Sequence, residues 1–120
     1  MTPLPESMPC LEFRGQGVFA GRDIKKGELL ERSPVIPVPA GEWTLVSQTV
    51  LRHYCYAWGK NHKDAALALG RGSLFSNSPG EPAAYYVNHL RDMVMVFFAA
   101  RDITQGEEIT VNRRKPGQAG

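Results

Sequence analysis

The sequence lacks the features that mark membrane, metal-binding and disulfide-rich secreted proteins. Its longest apolar run, residues 93–100, is far shorter than the roughly 20 residues that cross a bilayer, and the N-terminus has no signal-peptide pattern. The two cysteines, Cys10 and Cys55, stand far apart without a CxxC spacing. We therefore expect no metal site, no membrane contact, free buried thiols and a cytoplasmic, reducing environment.

An excess of charge of one sign is also missing. The net charge is +2, and Arg113, Arg114 and Lys115 supply three positive charges, which leaves eleven basic against twelve acidic residues elsewhere. Direct contact with nucleic acid is therefore not expected. We interpret the basic residues as a solvated end, with contact to an acidic partner as the alternative. We expect one domain at residues 11–113, an N-terminal extension at 1–10 and a flexible basic tail at 114–120.

The chain does contain 12 glycines and 9 prolines spread throughout, which favours many short strands over long helices. Apolar patterning predicts strands at residues 17–20, 29–38, 54–58, 65–69, 83–87, 94–100 and 108–111. The continuous apolar run at 93–100 predicts a central strand buried on both faces. One helix is predicted after residue 41, with a core-facing apolar spacing formed by Trp43, Val46, Val50 and Tyr54.

An internal repeat is the most informative local feature. Residues 19–30 are echoed by residues 98–109, with seven of twelve positions identical. Each copy reads as an apolar strand, a polar turn closed by glycine and a second apolar strand. The glycines, Gly27 and Gly106, suit a turn that needs a positive φ. Two such units predict two related corners of one β-structure.

Four stretches, taken in order, resemble the SET domain family in its compact form. They are GQGVFA at residues 15–20, the Arg-Asp turn into KGELL at 26–30, GSLFSNS at 72–78, and the segment 99–111 that contains GEEITV. The resemblance covers roughly residues 11–113. It is closer to viral and bacterial members than to chromatin-bound eukaryotic ones.

The resemblance implies a mainly β architecture, the SET or β-clip fold, with several short curved sheets, one or two short helices and a threaded C-terminal segment. It also implies lysine methylation with S-adenosylmethionine as cofactor, in a pocket that meets a channel for the substrate lysine. Gly15, Gln16 and Gly17 would pass close to the cofactor, where a side chain would obstruct it.

The third stretch stands where the family has an asparagine–histidine–serine motif, and two registers are open. Without a gap, the motif falls on Ser76, Asn77 and Ser78. With one inserted residue, Asn77 takes the asparagine position and Pro82 matches a later proline, and we prefer this register because it keeps two matches. In both, these residues would contact the cofactor, and the family's histidine is absent. No metal-ligand or triad spacing links the three histidines, His53, His62 and His89.

Arg113 stands where the family has its catalytic tyrosine. An arginine is always charged and only donates hydrogen bonds, so it would oppose both a sulfonium and an ammonium group. Three explanations are open: methyl transfer has been lost, another tyrosine supplies the hydroxyl, or Arg113 turns outward in a rearranged tail. The candidate tyrosines are Tyr54, Tyr56, Tyr85 and Tyr86. Tyr54 is preferred, because family members often carry an aromatic residue near that place.

Two functions follow from the resemblance. The first is a protein-lysine N-methyltransferase that uses S-adenosylmethionine on a protein or peptide lysine. The alternative is a catalytically inactive SET-fold module for binding or dimerisation. A second copy of the chain is a further candidate partner, because a minimal domain can complete its channel through dimerisation. A related β-clip domain with an unrelated ligand is a third reading, argued by fold alone.

Overall fold

The computed structural model describes residues 11–15 and 17–114. The elements in chain order are β1 (Leu11–Arg14), β2 (Gly17–Ala20), β3 (Leu29–Val38), α1 (Ala40–Val46), β4 (Cys55–Trp58), β5 (Asp64–Ala68), β6 (Ser76–Asn77), β7 (Ala84–His89), β8 (Val94–Ala99) and β9 (Thr110–Val111), with 3₁₀ turns at Val50–His53 and Gly72–Leu74. β1 and β2 form a hairpin, and the other strands form one sheet in the order β4-β5-β3-β8-β7-β9-β6. The predicted mainly β fold is confirmed. Two strands, β1 and β6, were not indicated by the apolar pattern.

The long strand β3 joins the two halves of the sheet by changing partners along its length. Its first part pairs antiparallel with β8, and its second part, from residue 35 onward, pairs with β5. Each part therefore leaves one edge without a strand partner, which is where a residue without an N–H group is tolerated. This accounts for Pro34 and Pro37 inside a strand. β8 lies between β3 and β7, and five of its six residues are buried, which confirms the predicted central strand.

The two copies of the repeat meet each other directly. Ile24 and Ile103 form an antiparallel bridge, in which each backbone N–H donates to the other's carbonyl at 2.8 and 2.7 Å. The carboxylates of Asp23 and Asp102 each accept a backbone N–H from the opposite turn, at 2.8 and 2.9 Å. The prediction of two related corners is confirmed, and reciprocal hydrogen bonds join the corners to each other.

Each of these turns is closed in the same way. Gly27 and Gly106 have φ values of 90° and 91°, a region that L-residues with side chains avoid. Within each turn the arginine pairs with the glutamate that follows the glycine, at 3.2 and 3.1 Å: Arg22 with Glu28, and Arg101 with Glu107. The identical residues of the repeat are therefore the ones that build the turn.

The last strand, β9, lies between two earlier strands. Val111 stands opposite Ala84 of β7 and opposite Asn77 of β6, and both pairings are parallel. The insertion brings the residues that follow β9 against β6 and against the 3₁₀ turn Gly72–Leu74. The candidate site is built at this place.

Helix α1 is shorter than its apolar spacing predicts. It ends at Val46, and beyond it the Gln48 side-chain amide donates to the Thr44 carbonyl at 2.9 Å, which satisfies an acceptor that the helix end leaves free. No residue of α1 is buried, and Val50, which belongs to the following 3₁₀ turn, is 67% exposed. The prediction of one helix is confirmed, but its apolar face is only half-buried, at Trp43 and Val46, and it does not continue to Val50 and Tyr54.

The core of the described residues lies between β2, β3, β4, β8 and the two repeat turns. Cys55 is free and buried, as predicted, whereas Cys10 and the proposed extension at 1–10 lie outside the described residues. Within residues 11–15 and 17–114, no helix is long and apolar enough to span a membrane.

Candidate active site

A cleft of about 530 Å³ collects residues from four distant parts of the sequence. The hairpin β1–β2 contributes Gly17, the end of the first 3₁₀ turn contributes Tyr54, and the segment 73–77 supplies another wall. Glu108 and Arg113 come from the C-terminal part. Five residues selected from the sequence are thus brought together: Gly17, Tyr54, Ser76, Asn77 and Arg113.

The contact between Gly17 and Glu108 explains one glycine of the GxG stretch. A Cβ atom at Gly17 would stand 2.6 Å from Oε2 of Glu108, which would push that carboxylate away. The same oxygen accepts the hydroxyl of Ser76 at 2.6 Å. The hairpin, β6 and the C-terminal part are therefore fastened to one another around a single carboxylate.

Gly15 and Ser78 lie at the margin of this arrangement and do not line the cleft. Gly15 takes a φ of 61° in the turn of the hairpin, so its role is to close that turn. The backbone N–H of Ser78 donates to the Val111 carbonyl at 2.8 Å and extends the pairing of β6 with β9. Gln16 lies outside the described residues.

The oxygen and the nitrogen of the Asn77 side-chain amide have different environments. Its Oδ1 accepts the backbone N–H of Arg113 at 3.0 Å, whereas Nδ2 donates to no described residue. An amide that is oriented through its oxygen and lines the cleft through an unused donor is suited to hold a ligand.

The four candidate tyrosines occupy different environments. Tyr54 is 36% exposed and lines the cleft, and its hydroxyl makes no hydrogen bond to a described residue. Tyr56 and Tyr86 flank Arg113: the first donates to the Gly72 carbonyl at 2.6 Å, and the second lies 3.4 Å from the Arg113 carbonyl. Tyr85 stacks on Phe98, away from the cleft. Tyr54 is thus the candidate with a hydroxyl available in the cleft.

Arg113 points inward. The residue is only 9% exposed. Its Nη2 donates to the carbonyl of Ser73 at 2.8 Å and to the carbonyl of Phe75. Its Cζ lies 4.5 Å from the centre of the Tyr56 ring. The explanation in which Arg113 turns outward is therefore wrong, and so is its interpretation as part of a solvated end. Of the predicted tail at 114–120, all but Arg114 lie outside the described residues.

Burial sets the protonation of the groups around Arg113. It lowers the pKa of the guanidinium, against the influence of the neighbouring phenol and thiol groups, yet an arginine starts so high that it stays charged at neutral pH. Burial raises the pKa of Tyr86 to about 12 and raises the pKa of the Tyr56 phenol and of the Cys55 thiol. Arg113 is therefore a permanent cation among neutral groups.

Several residues of the site were missed by sequence reasoning, chiefly Glu108, the carbonyls of Ser73 and Phe75, and the ring of Tyr56. A signal for Glu108 existed, because the two repeat copies differ there: Glu108 stands where the first copy has Leu29. A charged residue in place of an apolar strand residue marks a departure from the shared structural pattern. The carbonyls had no such signal, because every residue type carries one.

The polar groups of the cleft are of both charge signs, and such a set can bind a small molecule that carries a carboxylate and an ammonium group. Arg14 offers a guanidinium, Glu108 a carboxylate and Asn77 an amide donor, and the ring of Phe19 adds apolar surface. No group of three or more potential metal ligands occurs among the described residues.

The chain belongs to the SET domain family. The family model described as "SET domain" matches residues 15–112, which is most of the chain and ends one residue before Arg113. No curated protein matches the chain.

The solved structures that are similar to this chain include the following two. One is a Plasmodium falciparum protein named as a candidate histone methyltransferase, with a TM-score of 0.64, 24% identity, and coverage of 92% of this chain and 96% of that one. The other is CpSET8 from Cryptosporidium, with a TM-score of 0.64, 21% identity, and coverage of 83% of this chain and 53% of that one. At these identities the similarity establishes the fold.

Proposed function

We propose that this chain is a protein-lysine N-methyltransferase of the SET class that uses S-adenosylmethionine as its methyl donor. The observation that carries the proposal is the cleft, in which Gly17, Tyr54 and Asn77 meet from segments far apart in the sequence. The family resemblance assigns Gly17 and Asn77 to the cofactor, and Tyr54 is the candidate for the catalytic hydroxyl.

In this proposal Asn77 and Glu108 hold the cofactor. The free Nδ2 of Asn77 donates to it, and the Glu108 carboxylate, fixed by Ser76, accepts from its ammonium or hydroxyl groups. The bound cofactor supplies an activated methyl group. Gly15 and Ser78 support the same pocket through the backbone. Gln16 lies outside the described residues and is assigned to the cofactor by the family resemblance alone.

Tyr54 would orient the substrate amine. Methyl transfer requires a neutral amine in line with the methyl group, and keeping a lysine neutral at pH 7 costs about 4–5 kcal/mol if nothing assists. The positive charge of Arg113 in the same cleft favours the neutral amine. The hydroxyl of Tyr54 can then accept or donate a hydrogen bond as the geometry of transfer demands.

Calorimetry with S-adenosylmethionine and with its demethylated product tests cofactor use. We expect binding in the micromolar range, and no detectable heat with either compound would overturn the proposal. Mass spectrometry of a lysine-rich peptide and of cell lysate then tests transfer, with an added methyl group as the expected result.

A variant pair tests the role of Tyr54. Tyr54→Phe removes the hydroxyl from the cleft and is expected to lower the transfer rate about a hundredfold, with little change in cofactor affinity. Tyr85→Phe is the matched control, because Tyr85 is exposed and stacks on Phe98. Equal rates for the two variants would remove Tyr54 from the mechanism.

A second candidate function is a catalytically inactive SET-fold module for binding or dimerisation. The burial of Arg113 favours it, because a permanent cation occupies the end of the cleft and offers no acceptor to an amine. Cofactor binding without methyl transfer over long incubation would select this candidate over the enzyme.

The proposal also covers the substrate, the partners and the location of the enzyme. Its substrate is a lysine of a protein or peptide, a second copy of the chain is its candidate partner, and we expect no role for nucleic acid or a membrane. The buried free thiol of Cys55 supports a reducing cytoplasm. Sedimentation at several concentrations tests dimerisation.

A further inference from the structure

We propose that the loop 72–75 and the ring of Tyr56 form a binding site for an alkyl cation, and that the chain fills this site with its own Arg113 side chain. We call this site the cation cage. It consists of the carbonyl oxygens of Ser73 and Phe75 and the face of the Tyr56 ring.

The contacts of Arg113 are those of a bound cation. Nη2 donates to both carbonyls of the cage, at 2.8 Å for Ser73, and the centre of the Tyr56 ring lies 4.5 Å from Cζ. Neutral carbonyl oxygens and an aromatic face stabilise a positive charge without neutralising it. Among the described residues no carboxylate pairs with Arg113, so the cage provides its stabilisation.

Packing alone does not account for an arginine at this position. Its Nε and Nη1 atoms are buried and lack an acceptor among the described residues, which is costly for a charged group. An apolar side chain of similar length would avoid both the buried charge and the unpaired donors. The feature that favours a cation here is the pair of carbonyls, which without Arg113 would have no donor among residues 11–15 and 17–114.

The cage is held in place independently of Arg113. A Cβ atom at Gly72 would stand 2.6 Å from Oγ of Ser33 and 2.8 Å from Cε1 of Phe97, so the loop lies tightly against the sheet. The Tyr56 hydroxyl donates to the Gly72 carbonyl at 2.6 Å, and the Ser73 hydroxyl lies 2.6 Å from the Ala68 carbonyl. The cage should therefore persist when the Arg113 side chain is removed.

The chemical class of ligand follows from these groups. Two neutral acceptors and a ring face suit an alkylguanidinium or an alkylammonium, which includes a lysine side chain, and they repel an anion. Arg113 also lines the cleft, so its side chain competes with any cation that enters there. If the chain is a lysine methyltransferase, Arg113 competes with the substrate amine for the cage, and this consequence rests on the function proposed above. The existence of the cage does not depend on that function.

Chemical rescue tests the cage. Arg113→Ala empties it, and methylguanidinium at millimolar concentration is expected to raise the Tm of this variant by a few degrees with saturation. Urea has a similar shape without a charge and should give no rise, and n-butylammonium should act like methylguanidinium. The wild type and Arg32→Ala, an exposed arginine, are the controls and should not respond. Equal shifts for Arg113→Ala and the wild type would overturn the proposal.

A second pair of variants covers the case in which Arg113→Ala fails to fold. Arg113→Lys keeps the charge and Arg113→Met keeps only the apolar length. We expect the lysine variant to have the higher Tm, although a buried charge is normally the less favourable choice. A methionine variant that matches or exceeds it would mean that the position selects volume and not charge, and would overturn the cage.

These readouts separate the cage from the proposed function. Rescue by methylguanidinium in a chain that gives no heat with S-adenosylmethionine would support the cage and reject the enzyme. Cofactor binding by a chain that shows neither rescue nor the lysine preference would support the pocket and reject the cage.

Discussion

The junction of the two repeat turns and the cation cage both pair polar groups across long distances in the sequence, with opposite results. At the junction, the aspartates and isoleucines of the two turns exchange equivalent hydrogen bonds, and the ion pairs stay near solvent. In the cage, a buried guanidinium uses one nitrogen for two carbonyls and leaves two nitrogens unpaired. The junction stabilises the fold, as a structural scaffold does. The cage favours a cation at a cost in stability, as a binding site does.

The largest expected effect concerns the centre of the junction. Ile24 and Ile103 are each 1% exposed and hold equivalent positions, so Ile24→Ala and Ile103→Ala should each lower the free energy of unfolding by about 2–5 kcal/mol. Urea denaturation measures both, with the exposed Val50→Ala as a control that should change it by less than about 0.5 kcal/mol. If one variant costs several times as much as the other, the turns are alike in sequence only.

The difference between the two regions also explains what the sequence could predict. The junction is built from one repeated pattern, so the sequence of residues 19–30 and 98–109 predicted both the turns and the positive φ of Gly27 and Gly106. Most strands followed from apolar runs, but β6 consists of only two polar residues. β1 alternates apolar and polar residues over only four positions, which is too short a pattern to indicate a strand. Helix α1 forms as predicted, but it ends at Val46, so the predicted apolar spacing stops before Val50 and Tyr54.

The cage could be predicted only in part. Comparison with the family showed that Arg113 departs from its pattern. The direction of the Arg113 side chain, however, depends on the carbonyls of Ser73 and Phe75. The residue types at 73 and 75 do not indicate that these carbonyls are free. Tyr56 was one of four candidate tyrosines in the sequence, and Tyr54 was preferred over it. Burial and the insertion of β9 between β6 and β7 decided among them, and both are properties of the folded chain.

On the cage side, Tyr56→Phe should lower the free energy of unfolding by about 1–3 kcal/mol. The change leaves the buried Gly72 carbonyl without the hydroxyl that donates to it at 2.6 Å, and an unpaired buried acceptor is costly. The ring face toward Arg113 remains, so rescue of the double variant with Arg113→Ala by methylguanidinium should be weakened and not abolished. Tyr85→Phe is the control for loss of an exposed hydroxyl, and equal losses for the two would contradict the prediction.

A smaller effect is expected at the glycines of the two turns. Gly27→Ala and Gly106→Ala should each cost about 1–2 kcal/mol, because a Cβ atom finds open space there but the φ of 90° or 91° strains any L-residue with a side chain. Thermal unfolding of both variants measures the loss. Gly41→Ala, which also meets open space within α1, should be neutral or stabilising. A Gly41 variant that loses as much as the other two would show that backbone strain is not the cause.

The smallest effect distinguishes the two ion pairs of the junction by pH. The backbone N–H of Thr104 and the Arg101 guanidinium lower the pKa of Glu107 below its ordinary value of 4.5. A depressed pKa stabilises the fold above the unfolded value, and this contribution is lost as pH falls through the folded value. Glu107→Gln should therefore be less stable than the wild type at pH 7, by under about 1 kcal/mol for so exposed a pair, and the difference should shrink as the pH falls below 4.5. Glu28→Gln tests the equivalent pair with Arg22, which spans 3.2 Å. A loss for Glu107→Gln that stays the same as the pH falls from 7 through the acidic unfolding range would assign the effect to the shape of the turn and not to the charge.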